Sequence, residues 1–201
     1  MVLTDAQIER YSRQIIVPRL GGRGQERILA ARIVIAGDAR DIEAPLAYLV
    51  GAGVGKIGVR LAGDRGGFAE KIAELRQLNS DVSVSNADKS FANIDLTLVV
   101  VGIEAALKVA DEIASDRDVR ALVVARLDVP GKIAVLPDSS PSLRSVDASM
   151  LARVGMRSEA ADFIAMLATT EAFKLIAGYA ENPSRVMIEF DGYETKVRGV
   201  A

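Results

Sequence analysis

The sequence predicts an α/β fold in which one mostly parallel sheet is covered by helices on both faces. Short apolar runs typical of buried strands alternate with segments that carry apolar residues at helical spacing. This alternation favours a parallel sheet, because each parallel connection needs a crossover helix that packs on one face. The chain has 201 residues, of which 50% are hydrophobic and 26% are charged, so it is long enough for one domain with a sizeable core.

The first part of the chain, residues 1–31, is predicted to be a helical lead-in. Thr4 is a suitable N-cap, and apolar side chains recur at helical spacing from Ile8 to Ile16. The pair Gly21-Gly22 interrupts this pattern before a second helix near Arg23–Leu29.

Residues 32–126 carry the regular alternation and are predicted to form a Rossmann-like core. The predicted strands are Arg32–Ala36, Lys56–Leu61, Val82–Ser85, Leu96–Val101 and Ala121–Arg126. The predicted helices between them are Ile42–Leu49, Phe68–Leu78 and Glu104–Ala114.

Residues 127–201 are predicted to extend the sheet within the same single domain, residues 1–201. A strand at Lys132–Leu136 is followed by a long helix over Ser158–Ala177. Two short runs around Asp191-Gly192 then predict an antiparallel hairpin.

The composition excludes several kinds of chemistry. The chain contains no cysteine and no histidine, so it has no thiolate nucleophile, no imidazole base and no Cys or His zinc site. Any catalysis would therefore rest on carboxylates, Lys, Arg, Ser, Thr, Tyr or a bound cofactor, and we assign no catalytic residue and no metal site. The net charge of −2 and the lack of a long apolar run or signal peptide favour a cytoplasmic protein that binds neither nucleic acid nor membrane.

Five stretches of the chain follow one another in a distinctive order and spacing: Tyr11–Pro18, Gly24–Leu29, Gly53–Gly58, Lys71–Asn79 and Glu171–Gly178. In both respects they resemble the ThiF/MoeB/HesA branch of the E1-like activating enzymes. The resemblance implies a protein that binds ATP and magnesium and adenylates the C-terminal glycine of a ubiquitin-like or sulfur-carrier protein.

The segment from Gly37 to Glu43 departs from the family pattern for a nucleotide loop. The resemblance implies four glycines there, and three are replaced, although a phosphate loop needs glycine for close backbone approach. The acidic residues of the segment would stand where phosphates bind, although they also suit a helix N-terminus. The four glycine positions are Gly37, Ala39, Arg40 and Ile42, and the acidic residues are Asp38, Asp41 and Glu43.

Other nucleotide contacts that the resemblance implies are altered as well. Leu61 stands where the family has an acidic residue for the ribose, and a contact loop between Leu61 and Lys71 is missing. Lys71 matches a phosphate-contacting lysine, although a solvated helix face is its simpler interpretation. The magnesium-associated aspartate is absent, because the strand ending at Val101 continues into Gly102.

The resemblance also implies residues that contact partners. Arg13 matches an arginine that family dimers donate towards the partner's ATP, and we assign Tyr11 and Gln14 to the same interface. Arg144, Asp147 and Arg153 could bind a partner's tail, and residues 63–67 could be mistaken for a phosphate loop, although they lack its spacing.

Three hypotheses follow. The first is a catalytically degenerate E1-like protein that has no cofactor and acts as a homodimer or as the non-catalytic half of a heterodimer with an active relative, in contact with a ubiquitin-like or sulfur-carrier protein. The second is an active adenylyltransferase with a rearranged ATP and magnesium site. The third is a module that binds a small neutral or cationic molecule in the former nucleotide cleft, where Asp38, Asp41 and Glu43 would favour positive charge.

Overall fold

Eight strands form one continuous sheet in the computed structural model, which describes residues 2–63, 68–87, 91–114, 119–137, 148–179 and 184–199. The strands are β1 (Arg32–Gly37), β2 (Lys56–Leu61), β3 (Ser83–Asn86), β4 (Leu96–Val101), β5 (Leu122–Arg126), β6 (Gly131–Leu136), β7 (Val186–Phe190) and β8 (Thr195–Gly199).

The strand order is β3-β2-β1-β4-β5-β6-β7-β8. The first five strands of this order are parallel, and β6, β7 and β8 pair antiparallel. The predicted Rossmann-like sheet and the C-terminal hairpin are therefore confirmed. The chain direction across the sheet reverses at β1, which leaves a crevice at the carboxyl ends of β1 and β4.

Helices cover both faces of the sheet, as predicted. Helix α6 packs over one face, and α4, α5 and the long α7 cover the other. The helices are α1 (Asp5–Arg10), α2 (Ser12–Ile15), α3 (Gly21–Ala30), α4 (Ala39–Ala52), α5 (Phe68–Leu78), α6 (Glu104–Ala114) and α7 (Ala161–Ala177), with a 3₁₀ turn at Ala148–Leu151. Across the ranges given above, no helix combines the length and apolarity needed to cross a bilayer.

The helical lead-in is confirmed, together with its N-cap. The Thr4 hydroxyl accepts a hydrogen bond from the Gln7 amide at 3.3 Å, and the Gln7 side chain accepts one from the Thr4 amide at 3.1 Å. This reciprocal pair is a capping box. Helix α3 begins at Gly21, earlier than predicted, because Gly21 adopts a φ of +59° that glycine tolerates at the turn into the helix.

Two helix starts differ from the sequence prediction. Helix α4 begins at Ala39 and not at Ile42, so most of the segment predicted as a loop, Gly37 to Glu43, is the first part of a helix. Non-glycine residues there favour direct entry into the helix after an acidic cap. Helix α7 begins at Ala161, because the Ser158 hydroxyl accepts a hydrogen bond from the Ala160 amide at 3.1 Å and forms a separate turn.

Candidate functional site

The carboxyl ends of β1, β4 and β5 meet at the crevice where nucleotides bind in sheets of this type. Each of these strands is followed by a residue or pair that shapes the crevice: Asp38 after β1, Gly102 after β4, and Leu127-Asp128 after β5. The segment from Ala148 to Arg157 contributes further groups from a later part of the chain.

Gly37 is retained for packing. A Cβ at this position would lie 2.6 Å from the carbonyl oxygen of Val100 and 2.7 Å from Cγ2 of Ile42. Ile42, which stands at a predicted glycine position of the nucleotide loop, is fully buried in the core. The remaining two positions, Ala39 and Arg40, lie in the first turn of α4.

Asp38 caps helix α4. Its side chain accepts a hydrogen bond from the Arg40 amide at 3.2 Å, and its backbone is extended, as at other N-caps. The Asp38 carboxylate thus accepts a hydrogen bond from an amide at the positive end of the helix. Without this cap, the same amide would be free to donate to a bound anion.

Asp41 is buried and forms an ion pair with Arg157. The Nε of Arg157 lies 3.1 Å from Oδ1 of Asp41, whose side chain is 4% exposed. Burial raises the pKa of Asp41 more than the hydrogen bond and charge of Arg157 lower it. A Cβ at Gly102 would collide with the same carboxylate, so Asp41 fills the space that a side chain at Gly102 would need.

Glu43 and Lys71 form an exposed ion pair between α4 and α5. The Nζ of Lys71 lies 2.9 Å from Oε1 of Glu43 and 3.5 Å from Oε2 of Glu74. The Lys71 side chain is 38% exposed, which agrees with a solvated helix face. Leu61 ends β2 opposite Gly37 and lines a cavity of about 480 Å³ with Arg60 and Arg76, among other residues.

A second ion pair, between Arg126 and Asp128, lies at the end of β5. The Nε of Arg126 lies 3.1 Å from Oδ1 of Asp128, and their side chains are 3% and 12% exposed. Burial tends to raise the pKa of Asp128, but hydrogen bonds from Arg126 and the Gly155 amide, with the charge of Arg126, bring it below its usual value.

Arg126, Asp128 and Arg157 are site residues that no sequence motif indicated. Arg157 and Asp41 are 116 positions apart in the sequence, and no local sequence pattern predicts that they pair. The position of Arg126 at the carboxyl end of an apolar strand was the available signal, because a charged side chain there faces the crevice of a parallel sheet.

The three predicted interface residues have different environments. Tyr11 is 1% exposed, and its hydroxyl donates to Asp81 at 2.9 Å, so its side chain offers no surface to a partner and the prediction is corrected for Tyr11. Its burial has a local reason, since it packs against Gly53 at the end of α4. Arg13 is exposed and Gln14 is half-buried.

Arg13 and Gln14 line a largely apolar groove of about 630 Å³ between α2, α4 and α7. Tyr48 is 44% exposed on this groove, and its ring packs edge-on against Phe173, with centroids 6.1 Å apart. Oε1 of Gln14 is buried and has no hydrogen-bond donor in the part of the chain that the structure describes. We refer to this surface as the α2/α4/α7 groove.

Other predicted site residues lie partly outside the described ranges. Arg144, Asp147 and residues 64–67 are among them, so their predicted roles stay predictions. Arg153 is exposed, and its carbonyl oxygen accepts a hydrogen bond from Arg126 at 3.0 Å. Within the described ranges, no group of three or more acidic side chains is arranged to hold a metal ion.

Known proteins resemble this chain in part of the sequence and in the fold. A stretch of 57 residues is 47% identical to a sulfur carrier protein adenylyltransferase of Thermus thermophilus and covers 28% of this chain and 21% of that protein. A stretch of 58 residues is 45% identical to the adenylyltransferase and sulfurtransferase MOCS3 of Bos taurus and covers 28% and 12%. The match therefore spans about a fifth or less of these curated relatives, and no family model matches the chain.

Solved structures share the fold over almost the whole chain. PaaA superposes with a TM-score of 0.66 at 15% identity, covering 99% of this chain and 75% of PaaA. Escherichia coli MccB, crystallised with ATP, superposes with a TM-score of 0.64 at 15% identity, covering 100% and 74%. The matching stretch confirms the predicted resemblance to adenylyltransferases of the ThiF/MoeB branch of the E1-like family, and the superpositions show that the chain shares the fold of PaaA and MccB.

Proposed function

We propose that the chain is a catalytically degenerate E1-like protein that acts through protein contacts in the activation of a ubiquitin-like or sulfur-carrier protein. One observation carries the proposal: the acidic residues that accompany the lost glycines are already paired with groups of the same chain. Asp38 caps α4, Asp41 pairs with Arg157, and Glu43 pairs with Lys71. These groups stabilise the fold and leave no anion site at the start of α4.

ATP with magnesium does not fit these residues. A phosphate at the start of α4 would meet the carboxylates of Asp38 and Asp41, and the helix cap already uses an amide that it would need. Leu61 offers no acceptor to a ribose hydroxyl. A magnesium-binding carboxylate is missing at Gly102, and the nearby carboxylate of Asp41 is paired with an arginine.

The same arrangement bears on the binding of a cationic ligand. An amine would need Asp41 to leave Arg157, or Glu43 to leave Lys71, and either change leaves a charge without its partner. The geometry therefore favours the protein-contact hypothesis over a small-molecule module.

The α2/α4/α7 groove is the surface that we assign to a partner of the same fold, either a second copy of this chain or an active relative. Its apolar lining, the exposed ring of Tyr48 and the exposed guanidinium of Arg13 are typical of the centre of a protein interface. Arg13 forms no ion pair within the described part of the chain, so it is available to a partner.

The proposal is tested by ATP–pyrophosphate exchange with candidate carrier proteins that end in Gly-Gly. The chain alone is expected to give no exchange above background. Exchange that depends on both the chain and a carrier would contradict the proposal. The heterodimer version also requires that an ATP-competent relative co-purifies with the chain, and it fails if none does.

One observation favours the alternative of an active adenylyltransferase with a rearranged site. The carboxylate of Asp41 fills the space beside Gly102, next to the position where the family resemblance implies a magnesium-associated carboxylate. If this carboxylate served the reaction, Asp41→Asn would abolish exchange, whereas under the main proposal there is no exchange to abolish.

A further inference from the structure

A ten-residue segment contacts residues that follow β1, β4 and β5 at the altered nucleotide crevice, and we call it the strap (Ala148–Arg157). It begins with a 3₁₀ turn and pairs with the rest of the chain through one isolated bridge, Asp128 to Arg157. Within the described ranges it belongs to no strand of the sheet. Its position therefore depends on side chains.

The first half of the strap is held by two basic side chains. Arg126 donates hydrogen bonds to the carbonyl oxygens of Ser149 at 3.2 Å and Met150 at 3.3 Å. The Nζ of Lys132 lies 2.6 Å from the hydroxyl of Ser149. The Met150 side chain is fully buried against the α6 face of the sheet and anchors this half by apolar contact.

The second half, from Arg153 to Arg157, is held by a hydrogen bond from Arg126 to the Arg153 carbonyl oxygen, by acidic side chains and by the Asp41 ion pair. Glu104 accepts a hydrogen bond from the Val154 amide at 2.9 Å, and Asp128 accepts one from the Gly155 amide at 3.0 Å. Arg157 then joins Asp41 at 3.1 Å and Asp162 at 2.7 Å. Met156, between these contacts, is 85% exposed and contributes little apolar anchoring.

The two halves of the strap thus differ in what holds them. The first half has the fully buried Met150, whereas the second half has the half-buried Val154 against the same core cluster and otherwise depends on hydrogen bonds to charged groups and on one partly buried ion pair. Segments with few buried apolar contacts open at lower free energy than the sheet they cover. Removal of one member of the Asp41–Arg157 pair leaves the other charge partly desolvated, which favours opening.

We propose that the second half of the strap is a latch, closed by the Asp41–Arg157 ion pair, whose opening exposes the carboxyl ends of β1 and β4 while the sheet stays intact. The inference deepens the proposed function, because it assigns control of access to the crevice that the altered nucleotide segment borders. The crevice is then covered by the protein's own arginine, and a partner reaches it when the latch opens.

Hydrogen–deuterium exchange of the full chain tests the latch with two variants of different chemistry. Arg157→Gln removes the cation, and Gly102→Ala displaces the Asp41 carboxylate without removing a charge. Both are expected to speed exchange at residues 154–157 by about tenfold or more, with β4 unchanged. Arg120→Gln is the matched control, because it removes an exposed arginine from an ion pair with Asp95 away from the strap.

Two results would overturn the proposal: unchanged exchange at residues 154–157 in both variants, or exchange that rises there only together with exchange in β4, which would report global unfolding. If Arg157→Gln fails to fold, Asp41→Asn gives the same comparison with nearly the same side-chain shape. Arg157→Lys keeps the charge and is expected to restore part of the protection. ATP binding by the wild-type chain would contradict the proposed function but would leave this exchange result unaffected.

Discussion

At the scale of single residues, the carboxylates at the start of α4 bind groups of the same chain and not a ligand. Asp38 binds an amide of its own helix, whereas Asp41 reaches a side chain from a distant part of the chain. Both carboxylates lie in the positive electrostatic potential that a free helix N-terminus would offer to a bound anion. Such a carboxylate supplies the negative charge that a bound phosphate would supply. Because it belongs to the chain itself, it occupies the helix N-terminus permanently.

The Asp128 carboxylate is expected to stabilise the fold in a pH-dependent way. Its pKa in the folded protein lies below the ordinary value of 3.8, so its contribution is present above that value and is lost as the pH falls through the folded-state pKa. Asp128→Asn should lower the free energy of unfolding by about 2 kcal/mol near neutral pH, because Arg126 loses its buried partner. The difference from wild type should shrink below about pH 4.

Urea denaturation of both proteins at several pH values measures this difference. Glu112→Gln serves as the control, because Glu112 pairs with Arg60 but is 61% exposed, and it should change stability by less than about 0.5 kcal/mol. A difference between Asp128→Asn and wild type that stays constant from neutral to acid pH would show that the ionised carboxylate is not the source of the stability.

Some features of single residues could be predicted from the sequence, and others could not. The replacement of glycines at positions 39, 40 and 42 and the loss of an acidic group at Leu61 followed from the family resemblance. The partner of Asp41 could not be predicted, because 116 positions separate it from Arg157 and both residue types are common on surfaces. Tyr11 was assigned to an interface by its motif, and only the packing against Gly53 reveals that it is internal.

At the scale of elements, the strands of the parallel core were predicted within about one residue, because buried apolar runs bounded by polar residues define them closely. Helix starts were less predictable. The start of α4 was placed too late because the family resemblance implied a loop, and the acidic cap at Asp38 overrides that expectation. The start of α7 depends on a serine turn that periodicity does not register.

The hydroxyl of Tyr11 joins the lead-in to the turn between α5 and β3, and its removal tests how much this contact stabilises the lead-in. The pKa of Tyr11 is raised to about 12, chiefly by burial, so the hydroxyl remains a donor at ordinary pH. Tyr11→Phe loses hydrogen bonds to Asn79 and Asp81 and should cost about 1 kcal/mol of stability. Thermal unfolding measures the loss.

Tyr193→Phe is the matched control for this substitution, because Tyr193 is 96% exposed and should show no measurable change. Hydrogen exchange should also rise in α1 and α2 of Tyr11→Phe before it rises in β1. Equal stability of Tyr11→Phe and wild type would mean that the lead-in is held by other contacts.

At the scale of the whole molecule, the chain shares the fold of PaaA and MccB. The charged side chains at its crevice are paired with one another, whereas the apolar α2/α4/α7 groove is exposed. The α2/α4/α7 groove lies on the helical face that carries Tyr48, away from the strap at the sheet's carboxyl edge. Under the proposed function, association survives where nucleotide binding is lost.

A charge placed in the groove should therefore weaken self-association or association with a relative. Tyr48→Asp is expected to raise the dissociation constant by about tenfold or more, because an aromatic ring at the groove is replaced by a charge that must be desolvated. Analytical ultracentrifugation measures the dissociation constant, with Tyr193→Asp as the control, because Tyr193 is more exposed than Tyr48 and lies outside the groove. An unchanged dissociation constant for Tyr48→Asp would remove the groove from the interface.

The central claim is that the altered crevice no longer binds ATP. Isothermal titration calorimetry of the chain with ATP and magnesium tests it most directly, with E. coli MccB, which has been crystallised with ATP, as the positive control. The account predicts no saturable heat for this chain into the millimolar range. Saturable binding with a micromolar dissociation constant would contradict it.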